Sequence, residues 1–188
     1  MKKFFKKFKT GEGFSILETL IAITILIAAL TGPLALASQS IRSAYRARNE
    51  TIATYLTAEA FEFIRNKRDT NTFQGVDWMT GISNLCAPPD GCYVDSYGNE
   101  GSSYQGIITS CTSGNCPEIK WDASSGLYGY SSGENSGFKR KVVVTNIADH
   151  TSPPDGLFDE VKVEVTISWT EFLQTPSFTV QTNLFKWH

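Results

Sequence analysis

Histidine is scarce in this sequence, since the chain of 188 residues contains only His150 and His188. One lies in a turn-rich stretch and the other at the C-terminus. The sequence also lacks a nucleophile motif and a glycine-rich phosphate-binding loop. We therefore expect a protein that is not an enzyme and that needs no cofactor.

Cysteine is limited to four residues, Cys86, Cys92, Cys111 and Cys116. Zinc knuckles have a tighter C-x2-C spacing than these pairs show, and no histidine lies nearby. An even count in an exported, loop-rich segment favours two disulfides over a zinc site. The spacing leaves three pairings open. The local pairs Cys86–Cys92 and Cys111–Cys116 are the simplest, each contributing about 2 kcal/mol through loop closure.

Charge is nearly absent from residues 14–37, where Glu18 is the one charged side chain. A helix of these 24 residues rises about 36 Å, which is enough to cross a bilayer. Thr19, Thr24 and Thr31 are compatible with this environment because a helical threonine bonds back to its own backbone. Gly32 and Pro33 predict a helix break, since proline lacks an N–H.

Glycine and proline are absent from residues 34–69, so we predict one helix from about residue 14 to about residue 67. Apolar residues recur in its second half at spacings of three, four and seven, which indicates an amphipathic helix. These residues are Ile41, Tyr45, Ile52, Tyr55, Leu56, Phe63 and Ile64. Arginines between them raise the alternative of DNA binding. Glu50, Glu59 and Glu62 dilute that basic patch, which favours a solvated face.

The junction between the polar leader and the apolar run carries the most specific motif. Residues 13–18 read Gly-Phe-Ser-Ile-Leu-Glu and follow a leader with five lysines. This sequence resembles the processing signature of type IV pilins and of the pseudopilins of type II secretion. The resemblance implies cleavage between Gly13 and Phe14, N-methylation of Phe14, and pairing of Glu18 with a neighbouring subunit's terminal amine.

Two other interpretations of this N-terminus remain open. The apolar run could belong to an ordinary secretory signal cleaved after Ala37, because residues 35–37 offer small side chains. It could also be an unprocessed membrane anchor. Neither alternative gives Glu18 a role or explains a glycine directly before Phe14.

Residues 69–137 differ in composition from the helix that precedes them. Eleven of the chain's 15 glycines fall here, which predicts a loop-rich region. The same stretch is rich in tyrosine and tryptophan, which argues against disorder. A ligand-binding surface is one alternative use for its aromatic residues, namely Trp78, Tyr93, Tyr97, Tyr104, Trp121 and Tyr128.

After residue 137 the hydrophobic period becomes two. Residues 161–169 alternate strictly between apolar and polar side chains, and residues 138–147 and 178–187 form further predicted strands. Short turns at residues 153–156 and 174–176 predict antiparallel neighbours. In the turn at 153–156 and just beyond it, Asp155, Asp159 and Glu160 could bind calcium. Their spacing fits no EF-hand, which favours a solvated turn, and we expect no metal site.

The fold class predicted is α+β: a long N-terminal helix packed on a C-terminal antiparallel sheet, with a disulfide-bearing insert. The pilin resemblance implies the same fold. We divide the chain into a leader (1–13), a transmembrane helix (14–37), its amphipathic continuation (38–68), a loop-rich region (69–137) and a sheet (138–188). Residues 56–69 and 183–187 also resemble minor pilins of the PilV type.

The resemblance implies a structural, minor subunit of a type IV pilus or a related filament, and recovery from sheared fibres would test this expectation. A pseudopilin of a secretion system, a tip adhesin and a DNA-uptake minor pilin are the alternatives. The implied partners are other pilin subunits, prepilin peptidase/methyltransferase, an inner-membrane assembly platform and membrane lipid. Removing the leader, with five lysines and one glutamate, changes the net charge from −2 to −6, which argues against nucleic acid as the main partner.

The lysines of the leader also predict the orientation in the membrane. Positive charge before an apolar run holds the N-terminus in the cytoplasm. We therefore expect a single-pass precursor in the inner membrane, with the remainder of the chain exported to a periplasmic or extracellular filament.

Overall fold

The computed structural model describes residue 13 and residues 15–98, 106–149, 158–171 and 174–186. Several features predicted from the sequence lie outside these residues: the leader lysines, Phe14, Tyr104, His150, the 153–156 turn with Asp155, and residues 187–188. The chain divides into two compact units, Met1–Ala47 and Arg48–His188.

One helix, α1, covers Ile16–Phe73 and crosses the boundary between the two units. It ends six residues beyond the predicted position, because the first glycine after residue 34 is Gly75. Gly75 has a φ of 70°, and its N–H donates to Thr72 O at 3.1 Å. The Val76 N–H donates to Asn71 O, also at 3.1 Å. These two bonds form a Schellman motif, which satisfies carbonyls at the helix end.

In the second unit, one face of α1 is buried. Its members recur at spacings of three and four, as an amphipathic helix requires. They are Ala53, Leu56, Thr57, Ala60, Ile64, Arg68 and Asn71. The sequence pattern correctly included Leu56 and Ile64 in this face. It was wrong about Tyr55, which is 73% exposed. The small residues Ala53 and Ala60 occupy the face instead, because they allow the sheet to approach the helix closely.

A seven-stranded antiparallel sheet packs on this helix face, which confirms the α+β fold class. The strands are β1 (Cys92–Asp95), β2 (Ile107–Ser110), β3 (Glu118–Asp122), β4 (Leu127–Gly129), β5 (Glu134–Ala148), β6 (Glu160–Trp169) and β7 (Ser177–Phe185). The long strand β5 pairs with β6 on one side, and β6 pairs with β7. On its other side β5 pairs with both β1 and β3, which in turn pair with β2 and β4.

The predicted alternation of β6 is observed over its whole length. Val161, Val163, Val165, Ile167 and Trp169 are buried, whereas the residues between them are half-buried. Together with Val142 and Val144 of β5 they form the sheet side of the core. The second-unit part of α1 supplies the opposite side.

The region predicted to be rich in loops contains the four short strands β1–β4, each of three to five residues. It also contributes to the core, since Trp78, Met79 and Ile82 are buried there. Asn71 fixes the segment after α1, because its Nδ2 donates to Trp78 O at 3.2 Å and to Thr80 O at 2.8 Å. This region is therefore packed against the helix rather than being only a surface insert.

Both disulfides are present, pairing Cys86 with Cys92 and Cys111 with Cys116. These are the two local pairs that the spacing made simplest. Gly91 precedes Cys92 with a φ of 69°, and a Cβ there would lie 2.6 Å from Val142 O. The close approach of this turn to β5 therefore requires glycine.

Candidate functional site

The first turn of α1 contains Glu18, which is exposed. The helix begins after Ser15, whose carbonyl accepts the Thr19 N–H at 3.1 Å. Ser15 and Glu18 have the spacing of a capping box, and a carboxylate is favourable at the positive end of a helix. Among the residues that the structure describes, none donates a hydrogen bond or a salt bridge to Glu18.

The helix that follows is apolar on all sides and exposed on all sides. Every described residue from 13 to 48 is exposed. The most apolar 18-residue window of α1 has a mean hydropathy of 2.4 and no buried residue. By length and composition this helix is able to cross a membrane. Its large exposed side chains up to residue 37 are Ile16, Leu17, Leu20, Ile21, Ile23, Ile25, Leu26, Ile27, Leu30, Leu34 and Leu36.

The threonines of this apolar segment satisfy their hydroxyl groups within the helix, as predicted. Thr19 Oγ1 donates to Ile16 O at 2.8 Å, and Thr24 Oγ1 donates to Ile21 O at the same distance. Thr31 Oγ1 donates to Ala28 O at 3.0 Å. The surface therefore presents their methyl groups without an unpaired hydroxyl, which suits contact with lipid or with another apolar helix.

The helix is continuous through Gly32 and Pro33. The break predicted at these residues is therefore not seen in the isolated chain. Proline removes a single backbone hydrogen bond, and the turns on both sides retain theirs. Loosening of this stretch in an assembled filament stays a prediction.

An ion pair between a buried arginine and a half-buried glutamate joins α1 to the sheet in the second unit. Arg140 of β5 is 1% exposed, and its Nη1 lies 3.2 Å from Glu59 Oε2. The same nitrogen donates to Leu56 O at 3.1 Å, and Nη2 donates to Val94 O in β1. We had expected Glu59 on a solvated face, which was wrong. Arg140 lies two residues from Phe138 and from Val142, and all three are buried on the same face of β5. This period of two is the sequence signal that could have predicted an inward position for Arg140.

The aromatic residues considered for ligand binding do not form one surface. Trp78 is 3% exposed, and its Nε1 donates to Phe158 O at 3.2 Å, so it belongs to the core. Tyr93 stacks on Tyr130 with ring centroids 4.5 Å apart. Trp121 and Tyr128 are adjacent, with centroids 4.7 Å apart, and Trp121 is 39% exposed.

Several carboxylates elsewhere in the second unit have partners among the described residues. Glu62 pairs with Arg65 at 3.1 Å, and Asp159 lies 3.7 Å from the Lys186 Nζ. Glu160 accepts a hydrogen bond from Asn183 at 2.7 Å. Within the described ranges, no group of three or more histidine, cysteine, aspartate or glutamate residues is placed to hold a metal ion.

Three described groups in the second unit have shifted pKa values with clear causes, and one of them is Tyr128, whose pKa is raised by burial. Hydrogen bonds from Ser124 and Ser132 lower the pKa of Asp122 to about 2, which reflects a local turn between β3 and β4. Burial raises the pKa of Tyr130 to about 12, although the nearby Arg140 opposes this shift. All three shifts follow from packing and turn geometry.

No family model, no curated protein and no solved structure matches this chain. The structure itself shows a pilin-like architecture: a long N-terminal helix, apolar in its first part, and an antiparallel sheet with two disulfides. The apolar helix and the disulfides indicate a membrane-anchored or exported protein.

Proposed function

We propose that the chain is a structural, minor subunit of a type IV pilus or a related filament. One observation carries this proposal: the apolar stretch of α1 from residue 16 to residue 37 is entirely exposed, and Glu18 is its only charged residue. Such a surface needs a partner from outside the chain. Membrane lipid would serve before assembly, and the helices of other subunits would serve in the filament.

Processing would convert the precursor into an assembly-competent subunit. The leader lysines would hold the N-terminus in the cytoplasm while the second unit is exported. Prepilin peptidase would hydrolyse the bond between Gly13 and Phe14, and the new amine of Phe14 would then be methylated. The role of the chain in this scheme is structural and not enzymatic. Its partners are the peptidase/methyltransferase, an assembly platform in the inner membrane, and other pilin subunits.

Glu18 would select the position of each subunit relative to its neighbour. An ammonium group and a carboxylate attract much more strongly in an apolar medium than in water. A charge left unpaired in the membrane costs several kcal/mol. Pairing between the Phe14 amine and Glu18 of an adjacent subunit would remove both penalties at once. The pair would therefore fix the axial register of neighbouring helices.

The test is a comparison of Glu18→Gln with Glu12→Gln in the native host. We expect Glu18→Gln to be processed normally but to fall by about tenfold or more in the sheared-fibre fraction, because its partner amine stays unpaired. Glu12→Gln makes the same chemical change in the leader and should leave fibre incorporation unchanged. Normal incorporation of Glu18→Gln would refute the proposed role of this residue.

Gly13→Val tests the processing step separately. A Cβ on Gly13 would meet no atom of the structure within 4 Å, so the fold tolerates the substitution. Loss of cleavage would therefore report on recognition by the peptidase. We expect an immunoblot to show only precursor, and mature-length protein would contradict the proposal.

The fibre assay also separates the alternative functions. Mature protein that stays in the membrane fraction and is missing from sheared fibres would favour a pseudopilin of a secretion system. An adhesive function of the second unit has one supporting observation, the contact between the exposed ring of Trp121 and the half-buried ring of Tyr128. Binding of sugars that is lost in Trp121→Ala and retained in Tyr97→Ala would support that second candidate.

A further inference from the structure

The first cations after the apolar segment lie on the exposed surface of the first unit. Residues 38–47 contain Arg42 and Arg46 and no acidic residue, so this stretch carries a net charge of +2. Both arginines are exposed, and α1 continues without interruption from the apolar segment through this stretch. Tyr45, which is 55% exposed, lies between them. We call Arg42, Tyr45 and Arg46 the basic collar.

The basic collar lies at the depth of lipid headgroups if the apolar segment spans a membrane. Arg42 lies five residues after Ala37, and Arg46 lies nine residues after it. These separations correspond to about 7.5 Å and about 13.5 Å of helix rise. The headgroup layer adds about 5–8 Å to each side of the hydrocarbon core. Helical side chains point toward the N-terminus, which here is the direction of the membrane. Long arginine side chains therefore reach back to the headgroups.

The residue types of the collar fit an anionic phospholipid. A guanidinium group offers five N–H donors in a planar arrangement and binds phosphate oxygens in pairs. Arg42, Tyr45 and Arg46 share one helix face because they are three and four residues apart. Tyrosine is enriched at membrane interfaces, where its ring and hydroxyl lie between apolar and polar layers.

The position of these arginines on one particular side of the membrane points to a specific role. With the leader lysines in the cytoplasm, Arg42 and Arg46 face the opposite, extracytoplasmic side. The preference for positive charge on the cytoplasmic side does not account for cations there. Attraction to negatively charged headgroups does account for them, at about 1 kcal/mol for each arginine near the surface.

We propose that Arg42 and Arg46 bind the phosphates of anionic phospholipids in the extracytoplasmic leaflet. The contact holds the unassembled subunit at a fixed depth in the membrane. This inference rests on the membrane-spanning role given to α1 in the proposed function. To that role it adds anionic phospholipid as a ligand, and Arg42 and Arg46 as the residues that bind it.

The test measures which lipids remain on the full chain after release from nanodiscs of equal phosphatidylglycerol and phosphatidylcholine content. Native mass spectrometry gives the ratio of the two retained lipids. We expect R42Q/R46Q to lower the preference for phosphatidylglycerol by about fivefold for each arginine. The double variant Arg65→Gln with Lys67→Gln removes two cations from the second unit and should retain the preference. The leader lysines are the same in every variant and so cancel in the comparison.

The possible outcomes distinguish this inference from the proposed function. An unchanged ratio in R42Q/R46Q, with lipid still bound, would overturn the lipid site and leave the membrane-spanning helix in place. An equal loss in the Arg65 and Lys67 control would overturn it too, because the preference would then follow net charge alone. Retention of neither lipid by any variant would overturn both the lipid site and the membrane anchor.

Discussion

The two parts of helix α1 differ in burial although the backbone is continuous. From residue 15 to residue 47 no described side chain is buried, even though this part includes the most apolar window of the chain. From residue 48 to residue 73, seven side chains are buried, and three of these, Thr57, Arg68 and Asn71, are polar. The more polar part of the helix is therefore the part that finds a partner within the chain.

This difference shows that apolar composition and burial are separate properties. A helix face is buried only where another element covers it, and the sheet covers the second part of α1. The first part includes a stretch with the composition of a membrane span, and in our proposal lipid or other subunits cover it. Changes in the second part should therefore affect folding, whereas changes in the first part should affect insertion and assembly.

The largest effect on folding is expected for Arg140→Met. This substitution keeps much of the side-chain volume but leaves the Glu59 carboxylate without its cation. Breaking a buried pair by removing one partner costs about 3–5 kcal/mol. Chemical denaturation in detergent micelles, followed by tryptophan fluorescence, would measure the loss. Arg65→Met is the control, because the Arg65–Glu62 pair is exposed and should contribute less than about 1 kcal/mol. Equal losses in the two variants would contradict the anchoring role of Arg140.

A pair of isoleucine substitutions tests the comparison within α1 directly. Ile64 is fully buried, whereas Ile25 is 63% exposed. Ile64→Ala should lower the free energy of unfolding by about 2–5 kcal/mol, because it removes buried methyl groups and leaves a cavity. Ile25→Ala should change it by less than about 0.5 kcal/mol. The same denaturation assay measures both, and a large loss from Ile25→Ala would mean that the first part also packs within the chain.

The two disulfides should differ modestly in their contribution. Each closes a short loop and contributes about 2 kcal/mol by the loop-entropy estimate. Cys86 and Cys92 are fully buried within the main hydrophobic cluster, whereas Cys111 and Cys116, although also buried, lie outside that cluster. The double variant Cys86→Ala with Cys92→Ala should therefore lose more stability than Cys111→Ala with Cys116→Ala. Thermal unfolding of the two variants measures the difference, and the reverse order would contradict the placement of the first disulfide in the core.

The smallest expected effect on stability comes from Tyr130 and is confined to alkaline pH. The pKa of Tyr130 is about 12 in the folded chain and about 10 when unfolded, because burial disfavours the phenolate. The folded state therefore keeps its proton between pH 10 and pH 12 while the unfolded state loses it. Stability contributed by this group is fully present below pH 10 and decreases as the pH rises toward 12. Tyr130→Phe should reduce that decrease, and an identical pH profile in the variant would exclude Tyr130 as its source.

Long periodic segments of this chain were predictable from sequence, whereas short strands and buried polar contacts were not. Helix α1 and strand β6 are long enough for their hydrophobic periods to be recognised in the sequence. Strands β1–β4 have three to five residues each, and they assemble along the edge of β5 that is not paired with β6, which no local pattern encodes. The Arg140–Glu59 pair joins residues 81 positions apart, so local periodicity could place Arg140 inward but could not identify its partner.

For the candidate site, the sequence indicated the motif at residues 13–18 but not the arrangement of the aromatic residues. The charge, glycine, aromatic and carboxylate order at residues 13–18 points to processing at Gly13 and assembly through Glu18. The geometry at Phe14 lies outside the described residues, so these roles stay predictions. The aromatic surface was less predictable, because composition does not distinguish Trp78 in the core from Trp121 at the surface.

The most direct test of the central claim is N-terminal mass spectrometry of the chain from the membrane or sheared-fibre fraction of its native host. Our account predicts a chain that begins at Phe14 and is heavier by one methyl group. A chain beginning at Ser38 would mean that the apolar segment is removed during secretion. That result would contradict an assembly role for the first part of α1.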